Sequence, residues 1–158
     1  MRKYRLFSLI LVIALLGALA VGCGQQTAAP VEVDEDAIIL DAAKAYFANL
    51  PEHKNIISPA DLNGLVDNSP DSIYIIDIRA ADDYAAGHIS GAVNIAWGQV
   101  GAHIDSIPAG KTVIVACYSG QTAGQTVAVL KMAGFDVRSL KSGMNNGSLK
   151  AELPVVTD

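Results

Sequence analysis

The chain has 158 residues, one tryptophan and two cysteines, with 11 basic against 16 acidic side chains and a formal net charge of −5. That length gives room for one domain with a sizeable core. The acidic balance argues against nucleic acid or anionic lipid as an electrostatic partner.

The first 22 residues differ from the rest. Arg2, Lys3 and Arg5 make a basic start, residues 6–19 are apolar apart from Ser8 and Gly17, and the run closes on Leu19-Ala20-Val21-Gly22-Cys23. This pattern reads as a secretory signal over 1–22, short for a membrane-spanning helix, with an uncleaved N-terminal anchor as the alternative. The Gly22-Cys23 junction resembles the lipobox of bacterial lipoproteins, although Ala20 stands where that family more often has Leu. The resemblance implies a signal peptide removed before Cys23, palmitate on Cys23, and a lipid-anchored place on the extracytoplasmic face of a bacterial cell membrane. Removing 1–22 takes away three basic residues and no acidic one, leaving eight against 16 and a formal charge of −8. With that charge, a lipid on Cys23 would be the membrane attachment. Cys117 would then be the only thiol, which is unusual outside the cytoplasm.

Residues 23–36 are polar, hold Pro30 and end acidic, and read as a flexible tether. Residues 37–54 form a helical extension, with a helix over 37–49 that packs through Ile39, Ala42, Ala43 and Tyr46 and is stopped by Pro51. The main domain is expected over 55–158. Asn55-Ile56-Ile57-Ser58 is a short strand, and Ser58-Pro59 then supplies a helix N-cap followed by proline at the first helical position. That helix carries Leu62, Leu65 and Val66 and ends at the turn over 68–71.

Ile73-Tyr74-Ile75-Ile76-Asp77 is an apolar, β-branched strand ending in a polar residue, where open parallel sheets place ligands. A short helix over 81–86 follows, then a turn and a third brief strand within 87–95, a helical stretch over 97–104 and a turn over 108–110. The fourth strand covers 112–116, a helix 121–132 and the fifth strand 136–140. A glycine- and asparagine-rich loop over 141–147 and a short helix near 148–152 close the chain. Strands alternating with helices predict an α/β layer architecture.

The stretch Val113-Ile114-Val115-Ala116-Cys117-Tyr118-Ser119-Gly120 concentrates the chemistry. An apolar strand delivers Cys117 to a turn that feeds a helix N-terminus, where peptide N–H groups have no helical partner. Such amides and the helix dipole favour a thiolate, lower the thiol pKa and create a nucleophile at neutral pH. Gly120 lets the backbone fold tightly around the sulfur. A buried structural cysteine is the alternative.

Asp77-Ile78-Arg79, then Tyr84-x-x-Gly87-His88-Ile89-x-Gly91-Ala92-x-Asn94-Ile95, then Val113 to Cys117 with Gly120, in that order and spacing, resemble the rhodanese (sulfurtransferase) domain. The resemblance covers roughly residues 55–154. It implies a rhodanese-like three-layer α/β fold, a five-stranded parallel sheet flanked by helices. It also implies that Cys117 is catalytic and carries sulfane sulfur as a persulfide, with Tyr118, Ser119, Gly120, Gln121, Thr122 and Ala123 cradling the substrate. The donor would be thiosulfate, a polysulfide or a persulfide. The acceptor would be a thiol, cyanide or an unknown protein. No cofactor and no metal are called for, since the sulfur is the cargo and the backbone stabilises it.

Two departures bear on the donor. Many relatives carry Arg or Lys within the loop, whereas Tyr118, Ser119, Gln121 and Thr122 are uncharged, which disfavours a dianionic donor such as thiosulfate. Near Gly147 many relatives have a tryptophan, so packing at the mouth is expected to be looser, with Lys141 the cation best placed to reach it.

Asp77, Arg79 and His88 are read as structural support: a local ion pair or cap for the first two, a turn hydrogen bond for the third. Substrate contact and general acid–base catalysis are the respective alternatives, but a thiolate needs no base. Tyr74, Tyr84 and Trp97 are expected to pack. His53, His88 and His103 lack ligand spacing with Cys117. A cysteine-loop phosphatase would need Arg six positions after the cysteine, where Ala123 stands. The remaining rival is a weakly active or non-catalytic surface-tethered module that senses sulfur or redox state or binds a partner.

Overall fold

The computed structural model describes residues 33–145, 153 and 155–157. The chain divides into two units, Met1–Asp34 and Glu35–Asp158, and the second carries the fold. Its elements in chain order are α1 (Glu35–Ala48), β1 (Ile56–Ile57), α2 (Pro59–Asn68), a 3₁₀ turn (Pro70–Ser72), β2 (Ile73–Asp77), α3 (Ala81–Ala85), β3 (His88–Ile89) and β4 (Val93–Asn94). A 3₁₀ segment (Trp97–Ser106), β5 (Thr112–Ala116), α4 (Gln121–Met132), β6 (Val137–Leu140) and β7 (Val155–Val156) follow.

Five strands form one parallel sheet in the order β1-β6-β5-β2-β4. Strands β2 and β5 are apolar along most of their length because both faces are covered. Alternate side chains point to opposite faces. Ile75, Ile114 and Ala116 join the core cluster that holds Leu62 of α2. Ile76, Val113, Val115 and Cys117 join the one that holds Val127 and Leu130 of α4. Val113, Ile114 and Val115 are fully buried, each worth about 1.5–3 kcal/mol against leaving it in water. The same alternation aims Cys117 at α4, so the strand's pleat decides which helix its sulfur meets.

Ser58 caps α2, its hydroxyl oxygen accepting from the Asp61 N–H at 3.1 Å with Pro59 next in line. Ser58 Oγ–H in turn donates to the Asp61 carboxylate at 2.7 Å.

Two expectations are corrected. The single brief strand within 87–95 is two: Val93–Asn94 joins the parallel sheet, while His88–Ile89 pairs antiparallel with Val155–Val156 in a second, two-stranded sheet. The helical stretch expected over 97–104 is a 3₁₀ segment over 97–106, in keeping with Gly98 and Gly101, poor α-formers. The first helix begins at Glu35 and buries no residue; Ala42, Ala43 and Tyr46 are half-buried, but Ile39 is exposed. The helix placed near 148–152, and Gly147, Cys23 and the signal segment, lie outside the described residues. Among the described residues no helix is long and apolar enough to cross a membrane.

Candidate active site

Strands β2 and β5 lie side by side with Asp77 opposite Ala116, so their two polar ends emerge together at the carboxyl edge of the sheet. Beyond Ala116 the chain turns through Cys117-Tyr118-Ser119 and enters α4 at Gly120, whose φ of 92° lies in the left-handed region. A side chain there would be strained by its own backbone.

The turn wraps the sulfur. Cys117 Sγ accepts from the Gly120 N–H at 3.1 Å and from the Ala123 N–H at 3.4 Å. Cys117 is a free thiol, 1% exposed. Burial pushes its pKa up, but hydrogen bonds from the Thr122 hydroxyl and from the Ala123, Ser119 and Gly120 amides outweigh that, and the net shift is downward. A charged group is strengthened by donors that are already in place. Among the described residues, the groups that lower the thiol pKa are a hydroxyl and peptide amides, not cationic side chains.

A second segment fixes the back of the loop. The Met144 N–H donates to the Cys117 carbonyl at 2.7 Å, and the Asn145 N–H to that of Tyr118 at 2.9 Å. Gly143 approaches so closely that a Cβ there would run into the Cys117 carbonyl oxygen and the Ser119 nitrogen. These three residues carry no signal in the sequence beyond the glycine-rich composition of their loop.

At the end of β2 the charge is handled by side chains. Arg79 Nε donates to both Asp77 oxygens at 3.0 Å, Nη2 to Asp77 Oδ2 at 2.6 Å and to the Gly87 carbonyl at 2.7 Å. Both residues are buried. Asn94 Nδ2 donates to the Asp77 and Arg79 carbonyls, each at 3.0 Å, and holds the turn between them. His88 is buried, stacked on Tyr84 with ring centroids 3.7 Å apart, its Nδ1 2.9 Å from the Tyr84 carbonyl. Asp77 and Arg79 thus sit in internal contacts at the strand end next to the loop, and His88 packs on Tyr84. Ser119 and Gln121 are exposed, Gly120 and Thr122 half-buried, and Ala123 buried. Lys141 is exposed; the cation against the loop is Arg79, its guanidinium 6.0 Å from the Tyr118 ring.

Tyr118, the first of the residues expected to cradle the substrate, reaches away to a neighbouring helix. Its hydroxyl donates to Asp83 Oδ2 at 2.6 Å and accepts from the Ala80 N–H at 3.2 Å, bridging the cysteine loop to α3. The Asp83 bond raises the phenol pKa, against the opposing pull of the Ala80 amide. Asp83 lies 35 residues away in sequence, and nothing in the pattern linked the two.

A sheet of five parallel strands, with a cysteine loop running from a central strand into a helix, defines an α/β protein with a thiol at the sheet's carboxyl edge. Residues 58–150 match the rhodanese-like domain family, and the chain belongs to that family. It is 40% identical over 70 residues to the thiosulfate sulfurtransferase GlpE of Pseudomonas fluorescens, covering 44% of this chain and 64% of that one. It is 29% identical over 92 residues to a tRNA sulfurtransferase of Pyrobaculum aerophilum, covering 58% of this chain but 19% of that protein. The chain thus spans under two thirds of the length of either relative. The crystal structure of a rhodanese-related protein from Thermoplasma volcanium superposes with a TM-score of 0.58 at 21% identity, covering 66% of this chain and 99% of that one. That likeness concerns the fold.

Proposed function

We propose that the protein is a sulfurtransferase that moves sulfane sulfur through a persulfide on Cys117. The observation that carries this reading is the sulfur's pair of peptide donors, Gly120 N–H at 3.1 Å and Ala123 N–H at 3.4 Å, which favour the attacking thiolate and equally the persulfide anion. The Cys117 thiolate attacks the outer sulfur of thiosulfate, a polysulfide or a persulfide. A new S–S bond forms while the donor's own bond to that sulfur breaks, its electron pair leaving on sulfite or on the thiolate released. Cyanide or an acceptor thiolate then takes the outer sulfur, and the electron pair returns to Cys117. Two half-reactions of this kind give ping-pong kinetics. The sulfurtransferases among the relatives support the reaction class.

A second reading is favoured by one observation, the lack of any charge on residues 118–123. On that reading the domain is a surface-tethered module that senses sulfur or redox state, or binds a partner, with little turnover. The two readings are separated by the intact mass of the chain after exposure to thiosulfate and to a polysulfide. A sulfurtransferase gains one sulfur, loses it to cyanide, and gains none as Cys117→Ser. No adduct with either donor favours the sensing module.

We further propose that a lipid on Cys23 tethers the domain to the outer face of a bacterial membrane. Its support is the Leu19-Ala20-Val21-Gly22-Cys23 sequence. Palmitate labelling that disappears in Cys23→Ala is the expected result; labelling that persists refutes it.

A further inference from the structure

The charge balance at the mouth of the site turns on Asp83. This exposed residue of α3 accepts the Tyr118 hydroxyl at 2.6 Å, and Tyr118 directly follows the nucleophile. Its carboxylate is therefore tied to the side chain that directly follows Cys117 in the chain. The fixing is two-ended, because the same hydroxyl accepts from the Ala80 N–H at 3.2 Å, where α3 has no side-chain cap of its own. Among the described residues, none of the ion pairs takes in Asp83. Arg79 faces the Tyr118 ring, but its Nε and Nη2 are engaged by both Asp77 oxygens and the Gly87 carbonyl. The loop over 118–123 is neutral.

We propose that Asp83, held against the cysteine loop by the Tyr118 hydroxyl, is a specificity-determining residue that disfavours dianionic sulfur donors and favours neutral or singly charged ones. The inference rests on the sulfur-transfer reading and narrows its substrate class. An exposed carboxylate acting across roughly 10 Å of well-screened medium discriminates by about two- to fourfold per unit of donor charge. Added salt weakens the effect, since the Debye length at 0.1 M is only about 10 Å.

The test compares alkylation of Cys117 by iodoacetate, an anion, with alkylation by iodoacetamide, its neutral counterpart, in the full chain. Asp83→Asn removes the charge and keeps an oxygen acceptor for Tyr118. The iodoacetate-to-iodoacetamide rate ratio is expected to rise about two- to fourfold at low ionic strength and to fall back toward wild type at high salt. Asp82→Asn, the same charge change on a neighbour with no bond to Tyr118, is expected to move the ratio less. An unchanged ratio in Asp83→Asn, a change insensitive to salt, or an equal change in Asp82→Asn overturns the proposal. With donors, the same variant should improve turnover of thiosulfate relative to a singly charged thiosulfonate. Alkylation involves no sulfur transfer, so a wild-type chain that never loads sulfur defeats the sulfurtransferase reading, while the alkylation ratio still judges Asp83.

Discussion

Two neighbouring strand ends solve the same problem in different ways. At the end of β2 a buried carboxylate, Asp77, is neutralised by a guanidinium that reaches both its oxygens. At the end of β5 the thiol of Cys117 is stabilised toward its anion by peptide N–H groups and one hydroxyl. A side-chain pair is self-contained and inert. An amide cradle holds its anion without a neutralising partner, which on the proposed reading leaves that anion free to react with an incoming sulfur. On that reading the difference separates a structural charge from a chemical one.

The strongest way to break this contrast is to remove one partner of the pair. Arg79→Ala leaves Asp77 buried without its cation and is expected to cost about 3–5 kcal/mol in urea unfolding. A loss below about 1 kcal/mol would mean the pair behaves like a surface bridge. Gly143→Ala attacks the other end, pushing a methyl group into the Cys117 carbonyl. Overpacking of this kind is expected to cost about 1–3 kcal/mol, with slower Cys117 alkylation as the loop is displaced; unchanged stability and reactivity would show that the 143–145 segment does not hold the loop. Thr122→Val is expected to have the smallest effect on stability. It removes the leading hydrogen bond that lowers the thiol pKa, so the pH inflection of alkylation should move upward and the rate at neutral pH should fall. An unmoved inflection would leave the backbone amides as sole stabilisers.

The central strands and α4 were legible in sequence because Ile73–Asp77 and Thr112–Ala116 are continuous apolar, β-branched runs and 121–132 has helical spacing. Cys117 was legible for the same reason, since strand, turn and helix around it are each strongly marked. The Asp77–Arg79 pair needs only i, i+2 proximity at a strand end. Two-residue strands such as His88–Ile89 and Val155–Val156 are too short to show a period, so the second sheet stayed hidden. Asp83 and the 143–145 segment act through tertiary contacts 35 and about 27 residues away from the loop in sequence, and no local pattern encodes such contacts.

The reactivity proposed for Cys117 requires the loop to hold its sulfur toward the ionised form, and the pH dependence of iodoacetamide alkylation of the wild-type chain measures that directly. The predicted curve rises and levels off at a pH below that of an unperturbed cysteine thiol. A curve that inflects where a free thiol does, or above it, would contradict the account.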